Sequence, residues 1–120
     1  MTHRHLLALA GLGGFFGVLA GAFGAHALRA TLSVAALGWW ETGTFYLLIH
    51  SVAALACAVA TGLPLLRAGF LLMIGGLIFS VSLYGLALGL PRILGAVTPI
   101  GGVVMLFGWG DIIYGAARAR

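Results

Sequence analysis

Apolar residues run through the chain in four long blocks, residues 6–27, 40–61, 66–89 and 93–117, and polar residues fall mostly in the gaps between them. Each block has the roughly 20 residues that a helix needs to cross a hydrocarbon core of about 30 Å. The pattern predicts an all-α integral membrane protein with one domain over residues 1–120, built as an antiparallel bundle of four transmembrane helices. The gaps Gly62-Leu63-Pro64 and Gly89-Leu90-Pro91 read as tight turns, in which glycine ends one helix and proline permits the next. Turns this short make the second and third helices neighbours, and likewise the third and fourth. The longest gap, residues 28–39, carries Leu32, Ala35, Ala36 and Trp39 at i, i+3, i+4 and i+7. That spacing predicts a short interfacial helix between the first and second spans, with Trp39 and Trp40 in the outer aromatic belt.

Composition removes the soluble alternative. A chain of 120 residues that is 62% hydrophobic and 7% charged cannot hide its apolar surface in a water-soluble core. The net charge of +4 comes from Arg4, Arg29, Arg67, Arg92, Arg118 and Arg120 against Glu41 and Asp111, with no lysine. Each arginine lies in a terminus or a gap, so the basic balance reads as anchoring to headgroups and argues against nucleic acid as a partner. Four arginines fall with the termini and the middle gap and two on the other side, which predicts cytoplasmic termini. His3, Arg4 and His5 followed by an apolar run, with Ala25-His26-Ala27 beyond it, imitate a signal peptide, but the run is too long for a typical h-region. It is expected to stay as the first transmembrane helix. Cys57 is the sole cysteine, so no intrachain disulfide is possible, and it reads as a small core residue.

The 20 glycines call for a packing explanation, because helix association in lipid depends on close backbone approach. Gly13, Gly17 and Gly21 are four residues apart on the first span, and Gly101 and Gly108 are seven apart on the fourth. Both sets are expected to be helix-packing faces. Whether the first faces its own bundle or a neighbouring subunit is left open by the sequence.

Depth places the polar residues. At 1.5 Å per residue, Thr42, Tyr46 and His50 share one face of the second span, and His50 lies about 15 Å below Trp40. Ser80 and Tyr84 on the third span and Thr98 on the fourth fall at similar depths, with His26 and Glu41 at the boundary above them. These residues form a candidate polar cluster in the outer half of the bilayer. Such groups must pair or line a cavity. Two readings stand: a hydrogen-bonded interior that fixes helix register, or a cavity in which His50 is the proton-responsive group. Asp111 is a second candidate, an intramembrane acid near the inner end of the fourth span, with Arg67, His5 and Arg118 as possible partners. No metal site and no cofactor are expected, since the histidines lie at different depths. No catalytic constellation is present, because the two acids sit at opposite membrane faces, so no enzyme is expected.

Gly21-Ala22-Phe23-Gly24-Ala25-His26, Glu41-Thr42 with Tyr46 and His50, Phe79-Ser80 with Ser82-Leu83-Tyr84, and Thr98-Pro99-Ile100-Gly101-Gly102 with Gly108-Trp109 occur in that order. Together they resemble the bacterial membrane family called domain of unknown function 423, whose eukaryotic relatives are named transmembrane protein 256. The resemblance covers essentially the whole chain. It implies a four-helix inner-membrane protein and no established activity. Two positions depart from the family pattern: Phe45 stands where arginine is common, and Val81 where glycine is. The leading expectation is a non-enzymatic structural, assembly or accessory protein of the bacterial inner membrane that contacts lipid and forms a homo-oligomer or binds a partner membrane protein. The alternative is a homo-oligomeric proton or small-solute transporter or channel with a polar cavity around His50.

Overall fold

The computed structural model describes residues 1–60 and 62–119; Thr61, at the end of the second predicted span, and Arg120, counted in the charge balance, lie outside the described residues. The described chain is all helical: α1 His3–Phe23, continued by a π turn Gly24–Leu28, then α2 Val34–Val59, α3 Leu66–Ala87 and α4 Leu94–Arg118. All four helices are long and apolar enough to cross a membrane. The molecule measures 52 × 26 × 20 Å, long enough for a bilayer of about 40–45 Å including its headgroup regions.

The helix ends follow local chemistry. Ser33 caps α2, its hydroxyl accepting from the Ala36 N–H at 3.1 Å. Gly62 (φ 81°) and Gly89 (φ 87°) take the left-handed conformation that the two tight turns require. The gap before α2 differs from expectation. The separate interfacial helix predicted within residues 28–39 is not formed: α1 persists through the π turn to Leu28, and Ala35, Ala36 and Trp39 belong to the first turns of α2. Ser33 starts one continuous helix there; Ala36 packs with Leu28, Trp40 and Ala87, whereas Ala35 and Trp39 are exposed.

The glycines fix how the helices meet. A Cβ on Gly13 would strike Ser51, one on Gly17 would sit 2.6 Å from Leu48, one on Gly21 would lie 3.5 Å from Thr44, and one on Gly24 would lie 2.7 Å from Trp40. The α1 stripe is thus spent on α2 of the same chain. Between α2 and α3, Gly43 meets Ser80 and Tyr84, Gly76 meets His50, and Gly69 meets Cys57. Between α3 and α4 the backbones themselves touch: a Cβ on Gly101 would lie 2.5 Å from the Phe79 amide nitrogen and one on Gly75 2.7 Å from that of Met105, while Gly108 seats Leu72. In lipid there is little hydrophobic gain in joining helices, so this contact and interhelical hydrogen bonds hold the bundle. The main core lies around Leu6, Ala54, Leu72 and Met73.

The bundle is open. Among the described residues no Cα of α4 comes within 8 Å of one in α1 or α2, so the backbone of α4 packs on α3 alone. A cleft therefore separates α2 from α4, with α3 as its floor.

Candidate functional site

The predicted polar cluster divides into four separate locks. At the end of the bundle near the π turn, the Thr44 hydroxyl donates to the Trp40 carbonyl (2.9 Å) and accepts the Tyr84 hydroxyl (2.9 Å). The Trp40 ring lies against Tyr84, with centroids 4.3 Å apart, and its indole N–H donates to the Ala20 carbonyl at 2.8 Å. That carbonyl stands where α1 changes to π geometry, so Trp40 ties the irregular turn to α2. Ser80, fully buried, donates to the Gly43 carbonyl at 2.7 Å and joins α2 to α3. Ser82 and Thr98 share a hydrogen bond of 2.7 Å between α3 and α4.

The fourth lock lies in the α2–α4 cleft. His50 is 5% exposed. Its Nδ1 meets the Tyr46 carbonyl at 2.8 Å, and its Nε2 meets Trp109 Nε1 at 3.2 Å. A carbonyl can only accept and an indole N–H can only donate. His50 is therefore the neutral ring with its proton on Nδ1, and both nitrogens are satisfied. Tyr46 stacks on His50 (5.7 Å, 12° between planes) and lies tilted against Phe79 (4.4 Å, 36°). The Trp109 ring stands edge-on to His50 at 6.0 Å. Tyr46, His50, Phe79, Gly102, Met105, Leu106 and Trp109 line a cavity of about 330 Å³. The midpoint of α2 falls between Tyr46 and Leu47, so this cavity lies near the middle of the helices and not toward the Trp40 end.

Three members of the expected cluster are elsewhere: His26, Glu41 and Thr42 are exposed. Equal depth would set Tyr46 beside Tyr84 or Thr98 and His50 beside Ser80; instead Tyr84 bonds Thr44, Thr98 bonds Ser82, Ser80 donates to the Gly43 carbonyl and His50 faces Trp109, because depth does not fix how each helix is rotated about its axis. Sequence reasoning overlooked Thr44 and Ser51, which are buried, and left Ser82 and Trp109 only as parts of a resemblance. One signal was available: Trp40, Thr44, Leu48 and Ser51 recur at helical spacing on α2, the same period as the α1 glycines that they meet.

Asp111 forms a two-pronged ion pair with Arg67, Nε to Oδ2 and Nη2 to Oδ1, both at 2.6 Å. The pair lies near the end that carries both termini. Arg67 is 74% exposed and Asp111 20%. Its cavity, lined by Arg67, Leu71, Val104, Phe107 and Asp111, shares no residue with the His50 cavity. At the same end the His3 ring donates from Nδ1 to the Ala58 carbonyl at 2.9 Å, and the Arg118 guanidinium lies 4.6 Å from the Tyr114 ring centroid.

Comparisons with known proteins agree with this picture of a membrane protein. A family model described as "Protein of unknown function (DUF423)" matches residues 20–102. The UPF0382 inner membrane protein YgdD of Escherichia coli (strain K12) is 40% identical, over 100% of this chain and 95% of its own length. A UPF0382 membrane protein of Staphylococcus saprophyticus is 41% identical over 92% of this chain and 94% of its own, and one of Haemophilus influenzae is 39% identical over 95% and 94%. No solved structure matches. The match spans the π turn, the α2–α3 locks and the Thr98–Gly102 segment, and with relatives collinear over nearly their full length, the chain belongs to the DUF423 family of membrane proteins of unknown function.

Proposed function

We propose that this multi-pass membrane protein is a non-enzymatic structural or accessory component of the bacterial inner membrane, acting by packing in a homo-oligomer or against a partner membrane protein. One observation carries the reading: among the described residues, every buried side-chain nitrogen and oxygen has a hydrogen-bond partner inside the chain. A conduit for protons or solutes needs polar groups left for its cargo. The separation of the His50 and Asp111 cavities supports the same reading, since a relay would join them. The inner-membrane names of relatives support the location. The opposed order of the contacts, 43, 50 and 57 on α2 against 80–84, 76 and 69 on α3, supports antiparallel neighbours. The arginine balance supports cytoplasmic termini. Outward-facing Phe15, Phe16, Leu106 and Phe107 on the two outer helices leave α1 and α4 free to meet another protein.

The test is reconstitution into liposomes with a pH-sensitive dye enclosed. Proton flux is expected to equal that of protein-free liposomes at every pH gradient. Flux above that background, lost in Asp111→Asn, would establish the transport reading instead. Native mass spectrometry from membranes reports the stoichiometry, and a monomer without partner would remove the packing role.

A further inference from the structure

We propose that the α2–α4 cleft is an intramembrane binding site for a ring that carries a hydroxyl: an alkyl-substituted phenol or hydroquinone that reaches it sideways from the lipid.

Four observations converge on this class. The first is position. Tyr46, Phe79 and Trp109 all stand within a few residues of the middle of their helices, so the cavity is at the depth of the acyl chains. The cleft opens outward, because α2 and α4 keep their backbones apart and its rim residues Leu106 and Trp109 are 71% and 41% exposed. A ligand must therefore be membrane-soluble. The second is shape. The walls are the aromatic rings of Tyr46, Phe79 and Trp109, which suit a flat ring by offset or edge stacking. A cavity of about 330 Å³ exceeds the ~150 Å³ void that is known to hold benzene, so a substituted ring fits.

The third is Gly102. The neighbouring Gly101 is dictated by the α3 backbone, but a Cβ on Gly102 would meet nothing within 4 Å, although it lines the cavity. Packing does not require glycine there, and the absence of a side chain leaves this wall of the cleft open. The fourth is the polar pair. His50 Nδ1 is committed to the Tyr46 carbonyl, which leaves Nε2 as an acceptor facing the Trp109 N–H at 3.2 Å, the long end of hydrogen-bond range. A group inserted between them must donate to Nε2 and accept from Nε1–H. A hydroxyl does both. An ether or a ketone satisfies only the indole and leaves a buried imidazole nitrogen unpaired, which is the expensive outcome. The inference does not rest on the accessory role, since a protein that packs against partners can hold such a ligand or not.

The experiment uses the full chain in nanodiscs with the three tryptophan indole N–H signals resolved by NMR and that of Trp109 assigned by Trp109→Phe. Titration with para-propylphenol is expected to shift the Trp109 signal saturably and leave that of Trp40 in place, because the Trp40 N–H is bonded to Ala20 on the far side of α2. Para-propylanisole, which has lost the donor, is expected to bind about tenfold more weakly or worse. A Cβ at Gly102 meets nothing within 4 Å, so Gly102→Leu places its side chain on the cavity wall and is expected to abolish the saturable shift at unchanged melting temperature; if that variant does not fold, Leu106→Trp at the rim serves the same comparison. A shift that grows linearly without saturation, equal binding of phenol and anisole, or undiminished binding in the filled variants overturns the proposal.

Discussion

His50 shows what a polar residue is made to do inside this protein. Its two ring nitrogens have one donor role and one acceptor role, and the Tyr46 carbonyl and the Trp109 indole supply the matching pair. A protonated ring would point an N–H at another N–H, so the neutral form is built into the lock. Trp40 uses the same logic at the π turn. Trp40→Phe keeps the ring against Tyr84 and removes only the bond to Ala20. It is expected to cost about 1 kcal/mol of stability, measured by reversible unfolding in mixed micelles, whereas Trp39→Phe, at an exposed position, is expected to change nothing. Asp111→Asn is expected to leave the melting temperature unchanged, because its partner Arg67 is 74% exposed and an exposed ion pair contributes little. A marked loss would mean that the pair is sequestered by something outside the monomer.

At the scale of elements, glycine position decides consequence. Gly14 and Gly17 are one turn apart on α1, yet a side chain at Gly14 meets open space and one at Gly17 meets Leu48. Gly17→Leu is expected to destabilise by about 1–3 kcal/mol through overpacking, and Gly14→Leu is expected to be tolerated; equal behaviour of the two variants in a thermal melt would contradict the α1–α2 packing described above. Gly101→Leu should be worse than either, since its obstacle is the backbone of Phe79, which cannot rotate away.

The whole molecule is a row of helices more than a closed square. α3 touches each of the others, and among the described residues the backbone of α4 packs on it alone, with the Trp109–His50 hydrogen bond as a side-chain link to α2. Gly101→Leu is therefore expected to free α4 while α1, α2 and α3 stay joined, seen as selective protease cleavage near the turn at residues 88–93. Orientation also belongs to this scale. Reporter fusions after the C-terminal residue are expected to be active in the cytoplasm; activity confined to the periplasm would reverse the arginine argument.

Sequence alone determined that four helices of this length exist and where they turn, because hydropathy and Gly–Pro punctuation are local properties that the bilayer enforces on each segment separately. It also picked out Tyr46, His50, Ser80, Tyr84, Thr98 and Asp111 as residues in need of partners, since a polar group in an apolar stretch is conspicuous whatever surrounds it. The choice of partner was a tertiary matter. Depth put His50 level with Ser80, but rotation of α2 about its own axis turned His50 toward Trp109 and left Ser80 to the Gly43 carbonyl. Rotation is set by which glycine receives which side chain, a relation between two helices that neither carries by itself. The same holds for the cleft: no pattern along α2 or α4 states that their backbones stand apart, because that spacing is fixed by the fit of each against α3.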